Sequence, residues 1–228
     1  MPVYPQTNPE KISLYAEALT ELRMRLRSVP DIAASNLPDR IKAESCHLQL
    51  RLATECFAIG MLAAQGDFTT FKTLTSSYST VEIFKALAKA YPRFFPIPSI
   101  AKRTGEGQWH FDDVGYGDCS TREEVELLWS KSGNELHRAS VDKYLKRRPA
   151  VDYAPIYQAI ERFWRLIRSH RILLSDHSSY LHVELDREGD GMRCLYIHLD
   201  QKDGTARLER YNIELEPGQP VKASTARG

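Results

Sequence analysis

The chain has 228 residues, 42% of them hydrophobic and 27% charged, a balance that excludes a disordered chain and suits one large domain or one domain with an appendage. Its 31 Lys and Arg against 30 Asp and Glu leave a net charge of +1, so any basic surface must be local. The four cysteines are far apart and form no metal-ligand spacing, which argues against structural zinc and for free thiols in a reducing compartment.

The N-terminus lacks a signal-peptide pattern, and the longest apolar run, Cys56–Ala64, is too short to span a bilayer. These features lead to the expectation of a cytoplasmic protein with no membrane partner. In chain order, a first helix is expected over Pro9–Ser28, capped by Asn8, with Leu14, Ala18, Leu22 and Leu26 on one face. Pro30 and the NLPDR segment read as a connection. A longer helix follows over Pro38–Gln65 and stops at Gly66. Ile41, Leu48, Leu52, Phe57 and Leu62 suit packing against neighbouring helices. Glu44, His47, Arg51 and Glu55 form a polar stripe, read either as a solvated face or as support for a site on a facing helix.

Phe68–Leu74 and Val81–Ala90 are further helical segments. Tyr91–Ile100 carries three prolines and three aromatics, and reads as an ordered, aromatic-anchored connection that covers either the core or a partner. Thr104–Cys119 reads as a hairpin or a surface loop. Ser120 and Glu123 have capping-box spacing, Gly133 reads as a helix stop, and Asn134 as the next helix start. Asp152–Leu174 has strong helical periodicity. Tyr180–Leu185, Met192–Leu199 and Ala206–Ile213 alternate as strands.

The expected fold is mainly α: a helical bundle over residues 1–175, a three-stranded antiparallel meander over 176–216 packed on it, and a disordered tail over 217–228. His182 and His198, with Asp200, fall on neighbouring strands, but strand histidines are far more often structural, and no metal or other cofactor is expected. Arg165 and His170 match an Arg-x(4)-His spacing, yet point apart on a helix. Phosphate-cradling Gly-rich loops and a nucleophile elbow are absent from the sequence.

Within SKSGNELHRASVDKYLKRR (Ser130–Arg148), the stretch SGNELHR resembles the motif region of HEPN-type domains. These are helical bundles common among bacterial RNA-cleaving and phage-defence proteins, with an Arg-x(4–6)-His motif. Asn134 and His137 match in type, whereas the arginine positions hold Ser130, Lys131 and Ser132. The resemblance implies metal-independent cleavage of RNA, with His137 as base, Arg138 or Lys131 as cation and Asn134 orienting the substrate. It also implies a homodimer acting in bacterial stress or phage defence. Lys143, Lys146, Arg147 and Arg148 form a local basic cluster suited to RNA. The competing expectation is a non-catalytic helical interaction or dimerisation module.

Overall fold

The computed structural model describes residues 9–66, 79–105, 108–136, 151–187, 191–199, 206–214 and 222–226. Five helices lie in this part of the chain: α1 (Pro9–Ala34), α2 (Asp39–Gln65), α3 (Thr80–Ala90), α4 (Arg122–Leu136) and α5 (Ala154–Arg168). Seven strands accompany them: β1 (Ile97–Gly105), β2 (Gln108–Asp113), β3 (Ser169–Leu173), β4 (Ser179–Arg187), β5 (Gly191–Leu199), β6 (Ala206–Glu214) and β7 (Lys222–Ala226).

The strands form one antiparallel sheet in the order β2-β1-β3-β4-β5-β6-β7. The fold is therefore mixed α and β, and the expected mainly-α bundle with a three-stranded meander is incorrect. The meander exists as β4, β5 and β6, but it is the middle of a larger sheet. Two readings missed β3 and β7, whereas the hairpin reading of Thr104–Cys119 anticipated β2. Asp152–Leu174 is not one helix, because α5 ends at Arg168 and the chain continues as β3. There His170 and Ile172 are buried while Ser169 and Arg171 are only partly so, the alternation of a strand. A short apolar run cannot reveal that change of period by itself. Lys222–Ala226, expected to be disordered, pairs with β6.

Helix α1 also runs past its expected end at Ser28, through Pro30 to Ala34. A mid-helix proline costs about 3 kcal/mol. Packing on either side offsets this, for Val29 is fully buried and Ile32 and Ala33 lie against the core. Helix α2 matches expectation and stops where Gly66 takes φ 63°, donating its N–H to the Leu62 carbonyl. Ser79 caps α3 by accepting from the Glu82 N–H.

Alternation along β4 and β5 separates two environments. Leu181, Val183, Leu185, Met192, Cys194 and Tyr196 share the helix-facing core with Tyr15, Phe57, Phe84 and Phe163. The rings of Phe84 and Phe163 meet Phe57 edge-on, with centroids 6.0 and 5.2 Å away. Of the two readings of Tyr91–Ile100, the structure supports the one that covers the core: Phe94 is buried and Phe95 packs on Phe57 and Phe84. The opposite sheet face carries His182, Glu184, Arg193 and Leu195. The β1–β2 hairpin, which pairs with β3 only through Ile97 and Pro98, curls over it. Phe111 meets the His182 ring at 5.1 Å, and Arg193 lies 4.9 Å over Trp109.

Candidate nucleotide cleft between helices α2, α4 and α5

Helix α4 is the hub of the site, and its first turn is fixed twice. Thr121 is the cap, one residue later than the Ser120 expected. The Glu124 N–H donates to Thr121 Oγ1 (3.3 Å) while Glu124 Oε2 accepts from the Thr121 N–H (2.9 Å). Arg162 of α5 then donates to both Glu124 oxygens at 3.0 and 2.9 Å, and to the Cys119 carbonyl at 2.8 Å. Burial would raise the Glu124 pKa, but the Arg162 bonds and the Thr121 N–H hold it below the usual carboxylate range. Arg162 is thus occupied in joining α5 to α4.

The far half of α4 is locked to α2. Arg51 pairs with Glu55 at 3.1 Å and stacks 4.5 Å over Trp129, whose indole N–H donates to the same Glu55 oxygen at 3.0 Å. The guanidinium can lie there because residue 133 has no side chain: a Cβ on Gly133 would overlap Arg51 Nη1. Gly133 is therefore a close-approach glycine inside α4, not the helix stop expected, and Asn134 is a helical residue rather than a cap. His47, Arg51 and Glu55 of the polar stripe face α4, while Glu44 pairs with Arg40 on the exposed side of α2. Gly133→Ala should expel Arg51 from its seat over Trp129, at a net cost of about 1 kcal/mol after the gain of alanine over glycine in a helix, which urea denaturation would measure. Arg51→Ala in the same background should remove much of that penalty.

Between α2, α4 and α5 lies a cleft of about 470 Å³. Its walls are largely apolar: Leu50 from α2, Leu127 and Leu128 from α4, and Pro155, Ile156 and Ala159 from α5. Seven polar residues stand among them: Ser120, Gln158, the paired Glu124 and Arg162, and Lys131, Ser132 and His47. Lys131 is exposed and makes no ion pair among the described residues. Ser132 is fully buried, and among the described residues neither its hydroxyl nor the buried Nδ1 of His47 has a hydrogen-bond partner. Burial lowers the His47 pKa, against the opposing pull of Glu135, so this imidazole is neutral near pH 7. A buried polar atom left unsatisfied costs about 1–3 kcal/mol, and both of these belong to residues that line the cleft, beneath its surface.

Of the residues expected at the site, Lys131 lines this cleft, and Asn134 is exposed one turn further along α4. His137, Arg138, Lys143, Lys146, Arg147 and Arg148 lie outside the described residues, as do Phe68–Leu74 and Asp200. Ser132 was not expected as a cleft residue, whereas His47 belongs to the stripe for which support of a site on a facing helix was one of the two readings. The signal for His47 was its place in the polar stripe of α2.

The other candidates resolve as structure. Arg165 pairs with Glu161 and Asp118, while His170 is buried on β3, accepting a short hydrogen bond from the Tyr15 hydroxyl. His182 and His198 sit on opposite sheet faces, because His182 is opposite Leu195 and His198 opposite Ser179. Among the described residues no group of three metal-binding side chains occurs. All four thiols are buried and free. No helix among the described residues is long and apolar enough to cross a membrane. Comparison of the chain with protein-family models, curated proteins and solved structures gives no match.

Proposed function

We propose that this protein acts on RNA, holding one unpaired nucleotide in the α2–α4–α5 cleft and cutting the strand without a metal ion. The observation that supports this most is the chemistry of the cleft: apolar walls, two unpartnered polar atoms and the Lys131 ammonium. Its volume of about 470 Å³ falls within the range of small-ligand sites. The walls suit a base. Ser132 and neutral His47, once turned toward the cleft, can each donate or accept at a base edge. Lys131 suits the phosphate.

In the proposed reaction an imidazole takes the proton of the ribose 2′-hydroxyl. The 2′-oxygen bonds to phosphorus as the bond to the 5′-oxygen of the next nucleotide breaks, and that oxygen leaves with a proton. The products are a 2′,3′-cyclic phosphate and a 5′-hydroxyl. His137, one residue beyond the last described residue of α4, is the proposed base, with Lys131 stabilising charge on the phosphate oxygens and Asn134 orienting it. The basic cluster Lys143, Lys146, Arg147 and Arg148 would hold the flanking strand, and the setting would be the cytoplasm.

Purified protein should cut a single-stranded RNA in excess EDTA and leave cyclic-phosphate ends. His137→Ala should abolish cutting with no change in melting temperature. Lys131→Met should weaken RNA binding about tenfold, as expected for one lost phosphate contact. RNA left both intact and unbound would refute the proposal.

A further inference from the structure

Cutting a strand through its 2′-hydroxyl moves two protons. One leaves the attacking oxygen and another reaches the departing 5′-oxygen. Attack and departure lie roughly in line through the phosphorus, so the base that takes the first proton is badly placed to deliver the second. A separate donor is needed, on the phosphate side of the cleft where Lys131 stands.

That end of the cleft holds an imidazole. Lys131 and Glu135 are exposed and four residues apart, hence neighbours on one face of α4. His47 of α2 lines the cleft with Lys131, and the Glu135 carboxylate is close enough to favour the charged form of its ring. Nδ1 of His47 is the buried nitrogen, which leaves Nε2 as the one with an open side on the cleft. The other charged groups nearby are engaged elsewhere. Arg51 and Glu55 hold each other and Trp129. Arg162 of α5 holds Glu124, which lies about 10 Å from Lys131 along α4.

Given the RNA cleavage proposed above, on which this rests, we propose that His47 is the general acid of the cleft, passing its Nε2 proton to the 5′-oxygen as the bond from phosphorus to that oxygen breaks. The proton from the 2′-hydroxyl goes to the base, and exchange with water returns both groups to their starting states. The ring is thereby assigned to the phosphate, and Ser132 is left to meet the base edge. Burial makes the protonated His47 ring a stronger acid than an exposed imidazole. The arriving phosphate anion joins Glu135 in favouring that protonated form. Cutting should therefore be fastest on the acid side of neutral.

In the full chain His47→Gln should lower kcat about 100-fold or more on ordinary single-stranded RNA, with KM and melting temperature nearly unchanged. The bell-shaped pH profile of kcat/KM should lose one limb in that variant, and Glu135→Gln should move the same limb to lower pH. The deciding substrate is an RNA with sulfur in place of one bridging 5′-oxygen. A thiolate departs without a proton, so on this substrate His47→Gln should cut within about threefold of the native chain. An equal loss on both substrates would make His47 structural, and full activity on ordinary RNA would make it a bystander. Either result overturns the proposal while the cleavage itself stands. A native chain that cuts neither substrate would bring down the RNA reading and the role of His47 together.

Discussion

Taking the protein from about pH 7.5 to about pH 4.5 should remove roughly 2–3 kcal/mol of folding stability through one buried imidazole. His170 is fully buried on β3, with Nδ1 donating to the Ile167 carbonyl at 2.9 Å and Nε2 accepting from Tyr15. Burial drives its pKa down to about 3, outweighing the Ile167 bond, which acts in the opposite direction. Tyr15 stays a phenol, its pKa pushed well above 10 by burial and by nearby Cys194, so it remains the donor.

The sign follows from proton uptake. Below its ordinary value near 6.5, the unfolded chain's histidine binds a proton that the folded chain refuses. Stability is complete above that value and falls by about 1.4 kcal/mol per pH unit on the way to the folded value. Below that second value the loss levels off. Burial depresses the His47 pKa too, and adds in the same direction. Urea denaturation at several pH values should therefore show a steep acid limb in the native chain. His170→Gln should flatten most of it whatever that variant's stability at neutral pH. An unchanged slope would mean that His170 is not buried as a neutral ring.

The largest single loss is expected on the other face of the sheet. Glu184 and Arg193 form a short ion pair with side chains only 15% and 8% exposed, and Glu184 also lies 3.4 Å from His182 Nε2. Burial alone would raise the Glu184 pKa, but the His182 bond and Arg193 hold it low. Glu184→Ala should cost about 3–5 kcal/mol, because it takes the carboxylate away from a buried guanidinium. The double variant Glu184→Leu, Arg193→Met should recover most of that loss, since replacing both charges removes the desolvation cost along with the attraction. Denaturant titration of the native chain, Glu184→Ala and the double variant would measure this.

Why some of this was legible and some was not follows from the range of the forces involved. Helices α2 and α3, and strands β4 to β6, announce themselves through capping residues, Gly66 and alternation. These are local signals, and local packing agrees with them. The ends that moved were decided at a distance: α1 continues past Pro30 because Val29 is held in the core, and α5 gives way to β3 because His170 and Ile172 find partners on β4 and α1. Gly133 was misread for the same reason. A glycine that lets Arg51 approach looks, in sequence, like one that ends a helix.

The site divides likewise. Lys131 was found from its place in the SGNELHR neighbourhood. His47 was noted only as one polar residue in a stripe, and Ser132 only as a position lacking arginine. Their common wall exists because α2 and α4 are clamped through Arg51, Glu55 and Trp129, contacts 74 residues apart in the case of Glu55 and Trp129. Ile41 and Leu48 were expected to be packed against neighbouring helices and are instead exposed, which no periodicity count distinguishes.

The central claim, that a nucleotide sits between α2, α4 and α5, is tested most directly by photocrosslinking. A single-stranded RNA carrying 4-thiouridine would be irradiated with the full chain, and the adducts mapped by mass spectrometry. Crosslinks should concentrate on peptides bearing Leu127–Ser132 and Pro155–Ala159, and should be lost in Lys131→Met with Ser132→Ala. Adducts confined to the sheet, or none above the level seen with an unrelated protein, would contradict it.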